Sequence, residues 1–203
     1  MKAYMRGQFE YLGIKGPKLG ELLREYYTEH GLPAPAELDP VARGLWALPQ
    51  REFQYAACSL IGRLEKGLPE EFIGTLEYLL VNKSWWDTVD ALATHTVGLH
   101  FKRYPGARRK YLVRWRRSED FWLRRAAILF QLHYKGETDF DLLRAIIREN
   151  LGSQEFFINK AIGWALRQYT RTDPQAVRRF VAETPLHPLS AREALKWLNH
   201  RKS

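Results

Sequence analysis

The segment FWLRRAAILF, residues Phe121–Phe130, shows the pattern that decides the fold. Its apolar residues recur three and four positions apart, which is the period that places side chains on one face of an α-helix. Much of the chain repeats this pattern, and no segment shows the sustained alternation between turns that is typical of β-strands. The sequence therefore predicts an all-α protein with about twelve helices.

Helix-start signals recur along the chain at nearly constant intervals. One series runs through Gln50, Ser84, Ser118, Ser153 and Ser190, at intervals of 34, 34, 35 and 37 residues. A second series runs near Asp39, Pro69, Pro105, Thr138 and Asp173. A helix pair every ~35 residues is typical of helical solenoids, in which stacked pairs form a superhelix with a concave binding surface. We predict such an α-solenoid, and a globular helical bundle is the alternative.

Several of these starts carry capping signals. The segments that begin at Ser84, Thr138 and Ser190 each place an acid three residues after a hydroxyl, which is the pattern of a capping box. Asp39-Pro40 and Asp173-Pro174 each place a proline directly after an acid, which suits an N-cap followed by the first helical residue. We expect helices to begin at these five points.

The charge and cysteine content narrow the class of protein. The 203 residues include 32 Lys and Arg against 23 Asp and Glu, for a formal charge of +9. This surplus favours nucleic acid as a partner, although a basic surface without such a partner is the alternative. Cys58 is the single cysteine, so no internal disulfide can form, which fits a reducing compartment.

The chain also lacks the signals of membrane insertion and export. No apolar run approaches the ~20 residues of a membrane span, and the N-terminal residues lack the apolar stretch of a signal peptide. We expect a single domain over residues 1–203 that acts in the cytoplasm as a monomer, without a membrane partner.

The segment Asn82–Asp90 holds the clearest candidate for chemistry. Asp87 has a structural explanation as the acid of a capping box, whereas Asp90 lies beyond the first turn and has none. Trp86 lies four residues before Asp90, so the two share one helix face. Taken alone, Asp90 is also compatible with a surface acid or a salt-bridge partner.

Equivalent positions in the next repeats carry basic and aromatic residues. Arg125 and Lys160 each lie seven residues past the start signal of their own repeat, and Asp90 lies six past its own. Trp164 follows Lys160 by one turn; in the alternative interpretation it is a core residue, and Gly163 only permits close helix packing. Because equivalent offsets share a surface in a solenoid, we expect the bases to contact DNA phosphates and the aromatics to contact sugars or bases.

Three blocks of this sequence resemble the AlkD-type DNA glycosylases, which are alkylation-repair enzymes built of HEAT-like repeats. The blocks are residues 83–90, 122–132 and 155–164, and residues 188–194 fit the last repeat of the family. The resemblance covers nearly the whole chain and implies an α-solenoid of HEAT-like helix pairs with a concave DNA-binding face. Family members usually begin with one further helix, which we expect to be absent here.

The resemblance also implies roles for individual residues. Asp90 matches the catalytic carboxylate, and Trp86 and Trp164 match the two aromatic residues that flank the sugar of the lesion. Arg125 matches a basic active-site residue near the DNA backbone. Tyr4 matches a tyrosine at the edge of the cleft and is expected to contact DNA.

The activity implied by the resemblance is that of a monofunctional DNA glycosylase for N3- and N7-alkylated purines in double-stranded DNA. Such bases carry positive charge, so a carboxylate suits what remains to be done, which is to stabilise oxocarbenium character and position water. We expect Asp90 to be ionised, since neighbouring bases lower a carboxyl pKa. The competing hypothesis is a noncatalytic HEAT-repeat module that binds DNA or another protein.

No metal or cofactor is expected. The six histidines form no zinc-like pattern with acids or with Cys58, and the sequence contains no glycine-rich phosphate loop. Lys160 is a conceivable Schiff-base nucleophile, but an enzyme that uses water and leaves an abasic site is the simpler interpretation.

Overall fold

A computed structural model of the protein describes residues 2–199, and the regular secondary-structure elements of this part of the chain are all helices. The helices are α1 Gly16–His30, α2 Leu38–Ala47, α3 Arg51–Leu64, α4 Ile73–Val81, α5 Trp86–Ala91, α6 Gly98–Arg103, α7 Pro105–Trp115, α8 Phe121–Leu129, α9 Phe140–Glu149, α10 Phe156–Tyr169, α11 Pro174–Glu183 and α12 Pro188–Asn199. A π-helical segment, Leu92–Val97, joins α5 to α6. The predicted all-α class is confirmed. Among the described helices, none is both long and apolar enough to cross a bilayer.

Contacts divide the chain into two compact units, one ending at Lys83 and one beginning at Ser84. In the first unit, α2 packs against α3 and α4, and α1 packs against α3. In the second unit, α5, α8, α10 and α12 pack side by side, and α7, α9 and α11 each pack against one or two of these helices. This alternation is the arrangement of helix pairs in a solenoid. The expectation of one domain over residues 1–203 stays a prediction.

The predicted repeat of about 35 residues is present in the helix starts. Helices α3, α5, α8 and α10 begin at Arg51, Trp86, Phe121 and Phe156, a constant spacing of 35 residues. The fifth residues of these four helices are Tyr55, Asp90, Arg125 and Lys160. The sequence therefore assigned Asp90, Arg125 and Lys160 to equivalent positions correctly.

Two of the expected N-caps are present, one of them shifted by a residue. Asp173 caps α11, and its side chain accepts from the backbone N–H of Ala176 at 2.8 Å. Asp139, not Thr138, caps α9 and accepts from the backbone N–H of Leu142 at 2.9 Å. Aspartate is preferred over threonine at the N-cap, so the helix starts one residue later than expected.

Other helix starts differ from the prediction. α12 begins at Pro188, so Ser190 lies inside the helix and is no cap; its hydroxyl donates to the backbone carbonyl of Asn159 at 2.8 Å. Proline is well suited to the first helical position and starts the helix two residues early. α2 begins at Leu38, which places Asp39 in its first turn instead of at the N-cap. The N-cap residue of α5 is Trp85, one residue after the expected Ser84.

Helices α10 and α12 approach each other closely at Gly163. A Cβ atom at Gly163 would lie 2.5 Å from Cβ of Glu193 and 3.0 Å from the carbonyl oxygen of Ser190. These distances are too short for a side chain of any size, so glycine is needed for this helix contact. The part of the alternative interpretation that concerned Gly163 is thus confirmed: this glycine permits close packing.

Replacing Gly163 by alanine should therefore destabilise the protein, by about 1–3 kcal/mol, because the added methyl group overpacks the α10–α12 contact. The matched control is Gly44→Ala in α2, where a Cβ meets no atom within 4 Å. Alanine should stabilise that helix by about 0.5–1 kcal/mol. Thermal melting measures both variants, and a Gly163→Ala protein that melts at or above the wild-type temperature would show that the helices can separate without cost.

Candidate functional site

Asp90 in α5 and Arg125 in α8 form a two-pronged ion pair. Nε of Arg125 donates to Oδ1 of Asp90, and Nη2 donates to Oδ2, each at 2.7 Å. Nη1 of Arg125 donates to the backbone carbonyl of Phe157 at the start of α10. The side chain of Arg125 is 6% exposed and that of Asp90 is 16% exposed. The arginine is therefore enclosed, while a small part of the aspartate reaches solvent.

The regular spacing of the helices explains why these side chains meet. Each is the fifth residue of its helix, and α5 packs directly against α8. The start of α8 is held by Asp120, whose carboxylate accepts from the backbone N–H of Trp122 at 2.8 Å. A fixed first turn sets how far along the helix axis Arg125 lies, and thus its register against Asp90.

Three aromatic rings pack together beside the ion pair. The ring centroids of Trp85 and Phe157 are 5.2 Å apart, those of Trp122 and Phe157 are 4.9 Å apart, and those of Trp85 and Trp122 are 5.9 Å apart. We call these three residues the aromatic triangle. Cζ of Arg125 lies 5.9 Å from the centroid of Phe157. The triangle thus joins the first turns of α5, α8 and α10 and holds the guanidinium against a ring.

Burial raises the pKa of the Asp90 carboxyl above its ordinary value, and the hydrogen bonds and charge of Arg125 oppose this rise without cancelling it. The sequence had led us to expect a lowered pKa. That direction was wrong, because the expectation considered the neighbouring base and left out the free-energy cost of burying the charge.

Asp90 lies two residues before the π-helical segment Leu92–Val97. The hydroxyl of Thr94 donates to the backbone carbonyl of Asp90 at 2.8 Å. Segments of this kind widen the helix locally and occur often at functional sites. The sequence analysis did not predict this segment, since no proline or glycine pair marks it.

The two candidate tryptophans are both half-buried. Trp86 is the first residue of α5, one turn before Asp90 and on the same face, as predicted. Trp164 lies in α10, one turn after Lys160. The indole of Trp164 has no ring or hydrogen-bond partner among the described residues. Its partial exposure fits an available aromatic surface better than the alternative interpretation as a core residue.

Lys160 in α10 forms an ion pair with a residue of α12. Its Nζ lies 3.1 Å from Oε1 of Glu193 in α12, and Nη1 of Arg167 donates to Oε2 of the same carboxylate at 2.5 Å. Burial acts to raise the pKa of Glu193, but the hydrogen bond of Lys160 and the charges of Lys160 and Arg167 outweigh it and lower the pKa. The sequence analysis missed this role of Glu193 because it assigned the residue to a capping box.

The remaining candidate, Tyr4, belongs to the other unit. It lies in the turns before α1 and is 75% exposed.

Sequence reasoning also missed Phe157, whose contribution is a backbone carbonyl and a ring that no motif marks. Within residues 2–199, no three His, Cys, Asp or Glu side chains come together as a set that could hold a metal ion.

Comparisons with known proteins agree with this architecture. A family model described as DNA alkylation repair enzyme matches residues 1–198. A predicted DNA alkylation repair enzyme from Enterococcus faecalis is 34% identical, with a TM-score of 0.86 over 98% of this chain and 92% of that chain. AlkD2 from Streptococcus mutans is 18% identical, with a TM-score of 0.66 over 96% of this chain and 95% of that chain, and shares the fold. No curated protein matches the chain.

Replacing Arg125 by glutamine should destabilise the protein in a way that depends on pH. Without the guanidinium, burial raises the pKa of Asp90 further above its value in the unfolded chain. The folded state then binds the proton more tightly, so stability falls as pH rises from the ordinary carboxyl value through the raised one. We expect little loss near pH ~4 and a loss of about 3–5 kcal/mol at neutral pH.

The matched control for this experiment is Arg124→Gln. Nη1 of Arg124 donates to the backbone carbonyls of Ser118 and Glu119 instead of a carboxylate. Thermal melting of both variants across this pH range should show a pH-dependent deficit for Arg125→Gln alone. A deficit that stays constant with pH in both variants would mean that Asp90 does not depend on Arg125 for its charge.

Proposed function

Because the chain belongs to the family of DNA alkylation repair enzymes, we propose that it is a monofunctional DNA glycosylase. Its substrates would be N3- and N7-alkylated purines in double-stranded DNA, and its product an abasic site. The observation that carries this proposal is the Asp90 carboxylate, which Arg125 fixes from one side while a part of the side chain reaches solvent.

The chemistry that such a site must supply follows from the substrate. Alkylation at N3 or N7 gives the purine a positive charge, so the glycosidic electrons leave with the base and render it neutral. The sugar then develops positive charge at C1′ until water adds there. A fixed carboxylate near C1′ stabilises that charge and accepts a proton from the attacking water. No group has to protonate the leaving base.

The pairing with Arg125 is compatible with this role. The fork occupies one lone pair on each oxygen of Asp90, and each oxygen has a second lone pair for water or for the sugar. Arg125 uses three of its five N–H donors, two on Asp90 and one on the carbonyl of Phe157. Two donors remain, and because the guanidinium is only 6% exposed, its surroundings must open on DNA binding before these donors can contact a phosphate.

The tryptophans would add the aromatic surfaces of the site. The π face of an indole attracts positive charge, so Trp86, one turn from Asp90, favours both a cationic base and a cationic sugar. Trp164, whose ring has no described protein partner, is available for the opposite side of the sugar. Lys160 and Tyr4 are proposed as DNA contacts; for Lys160 this requires sharing its ammonium between Glu193 and a phosphate.

A noncatalytic HEAT-repeat module that binds DNA or another protein is the second candidate, and one observation favours it. Both proposed basic residues of the site, Arg125 and Lys160, have carboxylate partners on neighbouring helices. In this interpretation the two ion pairs tie α5 to α8 and α10 to α12 and have no further role. The two candidates differ in one measurable property, which is the release of free base.

The proposed function is tested with duplexes that each contain one modified base: 7-methylguanine, 3-methyladenine, uracil or hypoxanthine. With protein in excess, the two methylated purines should be released and the two neutral bases should stay attached. Neutral bases leave poorly without protonation, and the proposed site offers no acid for that purpose. Spontaneous loss is measured in parallel without protein. If no base is released above that background, the second candidate holds, and efficient uracil release would refute the charge argument.

A further inference from the structure

A dense run of basic residues lies outside the proposed active site. Residues 102–117 contain eight Lys and Arg and no Asp or Glu. Within the second unit, Lys102 pairs with Glu137, and both Arg116 and Arg117 pair with Glu149. The other five, Arg103, Arg108, Arg109, Lys110 and Arg114, lie in or next to α7. Lys and Arg clustered along one helix are typical of a surface that binds a polyanion.

The helical period divides α7 into two faces. Ala107, Leu112 and Trp115 are buried. Arg109, Lys110, Val113 and Arg114 are exposed, and we call them the α7 basic face. Neither Arg109 nor Lys110 forms an ion pair with any described carboxylate. The exposed face of this helix is therefore positively charged, with one apolar residue.

The cations of the α7 basic face are held near one another. Nζ of Lys110 lies 5.7 Å and Cζ of Arg114 lies 4.8 Å from the ring centroid of Tyr111. Lys110 and Arg114 are four residues apart on one helix, a spacing at which like charges destabilise the helix. A polyanion bound across this face would remove that repulsion.

This face is separate from the Asp90–Arg125 pair. α7 packs on α6 and α8, and its buried residues lie on the opposite side of the helix from the α7 basic face. Arg125, in α8, contacts α5 and α10. In the proposed site, Arg125 and Lys160 are paired with acids. By contrast, residues 102–117, which contain the α7 basic face, include no Asp or Glu.

We infer that the α7 basic face binds the phosphate backbone of double-stranded DNA at a second surface, away from the lesion. The inference rests on DNA as the partner in the proposed function. From Arg109 to Arg114 the helix rises ~7.5 Å at ~1.5 Å per residue, and one DNA strand carries a phosphate every ~3.4 Å of its axis. The face thus spans about two phosphates, and arginine suits them because its planar fork binds phosphate oxygens in pairs.

The test is the binding of undamaged duplex by the full chain at increasing salt, measured by fluorescence anisotropy. The double variant Arg109→Glu/Lys110→Glu should bind about tenfold or more weakly at ~0.1 M salt, and its log–log salt slope should be smaller by about 2, since each phosphate contact contributes ~0.9. Thermal melting verifies folding. A glutamate at position 110 lies four residues before Arg114, which favours the helix.

The matched control is Arg178→Glu/Arg179→Glu on α11, where both arginines are exposed. This control changes the net charge by the same amount and should keep the wild-type slope. Equal losses in both double variants would show a general charge effect and overturn the inference, as would an unchanged slope in the α7 variant. It is also overturned if the α7 variant loses affinity for phosphatidylserine vesicles but not for duplex.

This experiment is independent of the base-release chemistry. Undamaged duplex offers no lesion, so a protein that releases no base can still show the α7-dependent slope, which would support this inference while the proposed catalysis fails. Conversely, a protein that releases 7-methylguanine but whose α7 variant binds like wild type refutes this inference alone. A wild-type protein with no salt-dependent affinity for undamaged duplex refutes this inference and leaves the proposed activity to the base-release assay.

Discussion

A carboxylate loses favourable hydration when it is buried, and in the second unit of this protein that cost falls on Asp90. The fork of Arg125 offsets it with two hydrogen bonds of 2.7 Å, while burial still raises the pKa of the Asp90 carboxyl. The carbonyl and the ring of Phe157 in turn hold Arg125 in place. The aromatic triangle and the 35-residue spacing of the helices are what keep these groups in register.

The repeat was predictable from the sequence, and so was the placement of Asp90 and Arg125 at equivalent positions of successive repeats, although their ion pair was not. Apolar periodicity and helix punctuation are local signals, and a constant interval between them places equivalent residues side by side. The exact helix starts were harder to predict, since a proline at position 188 starts α12 two residues before the expected cap at Ser190. The roles of Phe157 and Glu193 were not predictable. Phe157 acts through its backbone carbonyl, which no side-chain motif marks. Glu193 pairs with Arg167, which lies 26 residues earlier on a different helix.

The distribution of charge shows a second limit of sequence reasoning. A surplus of nine positive charges indicates a polyanionic partner but not the surface that meets it. Arg125 and Lys160 were the natural candidates from their repeat positions, and in the folded chain both are engaged by acids from neighbouring helices. Arg109 and Lys110 of the α7 basic face form no ion pair with a described carboxylate. Ion pairing between helices depends on tertiary packing, so it becomes visible only once the helices are placed.

The central claim, that Asp90 performs chemistry while its neighbours position it, is tested most directly by two adjacent variants. Asp90→Asn is nearly isosteric but removes the charge, whereas Asp87→Asn changes an acid in the first turn of the same helix. Single-turnover release of 7-methylguanine should fall at least ~100-fold in Asp90→Asn. Asp87→Asn should stay within about threefold of the wild-type rate and lose about 0.5–1 kcal/mol of stability. A folded Asp90→Asn protein that releases 7-methylguanine at the wild-type rate would contradict the account.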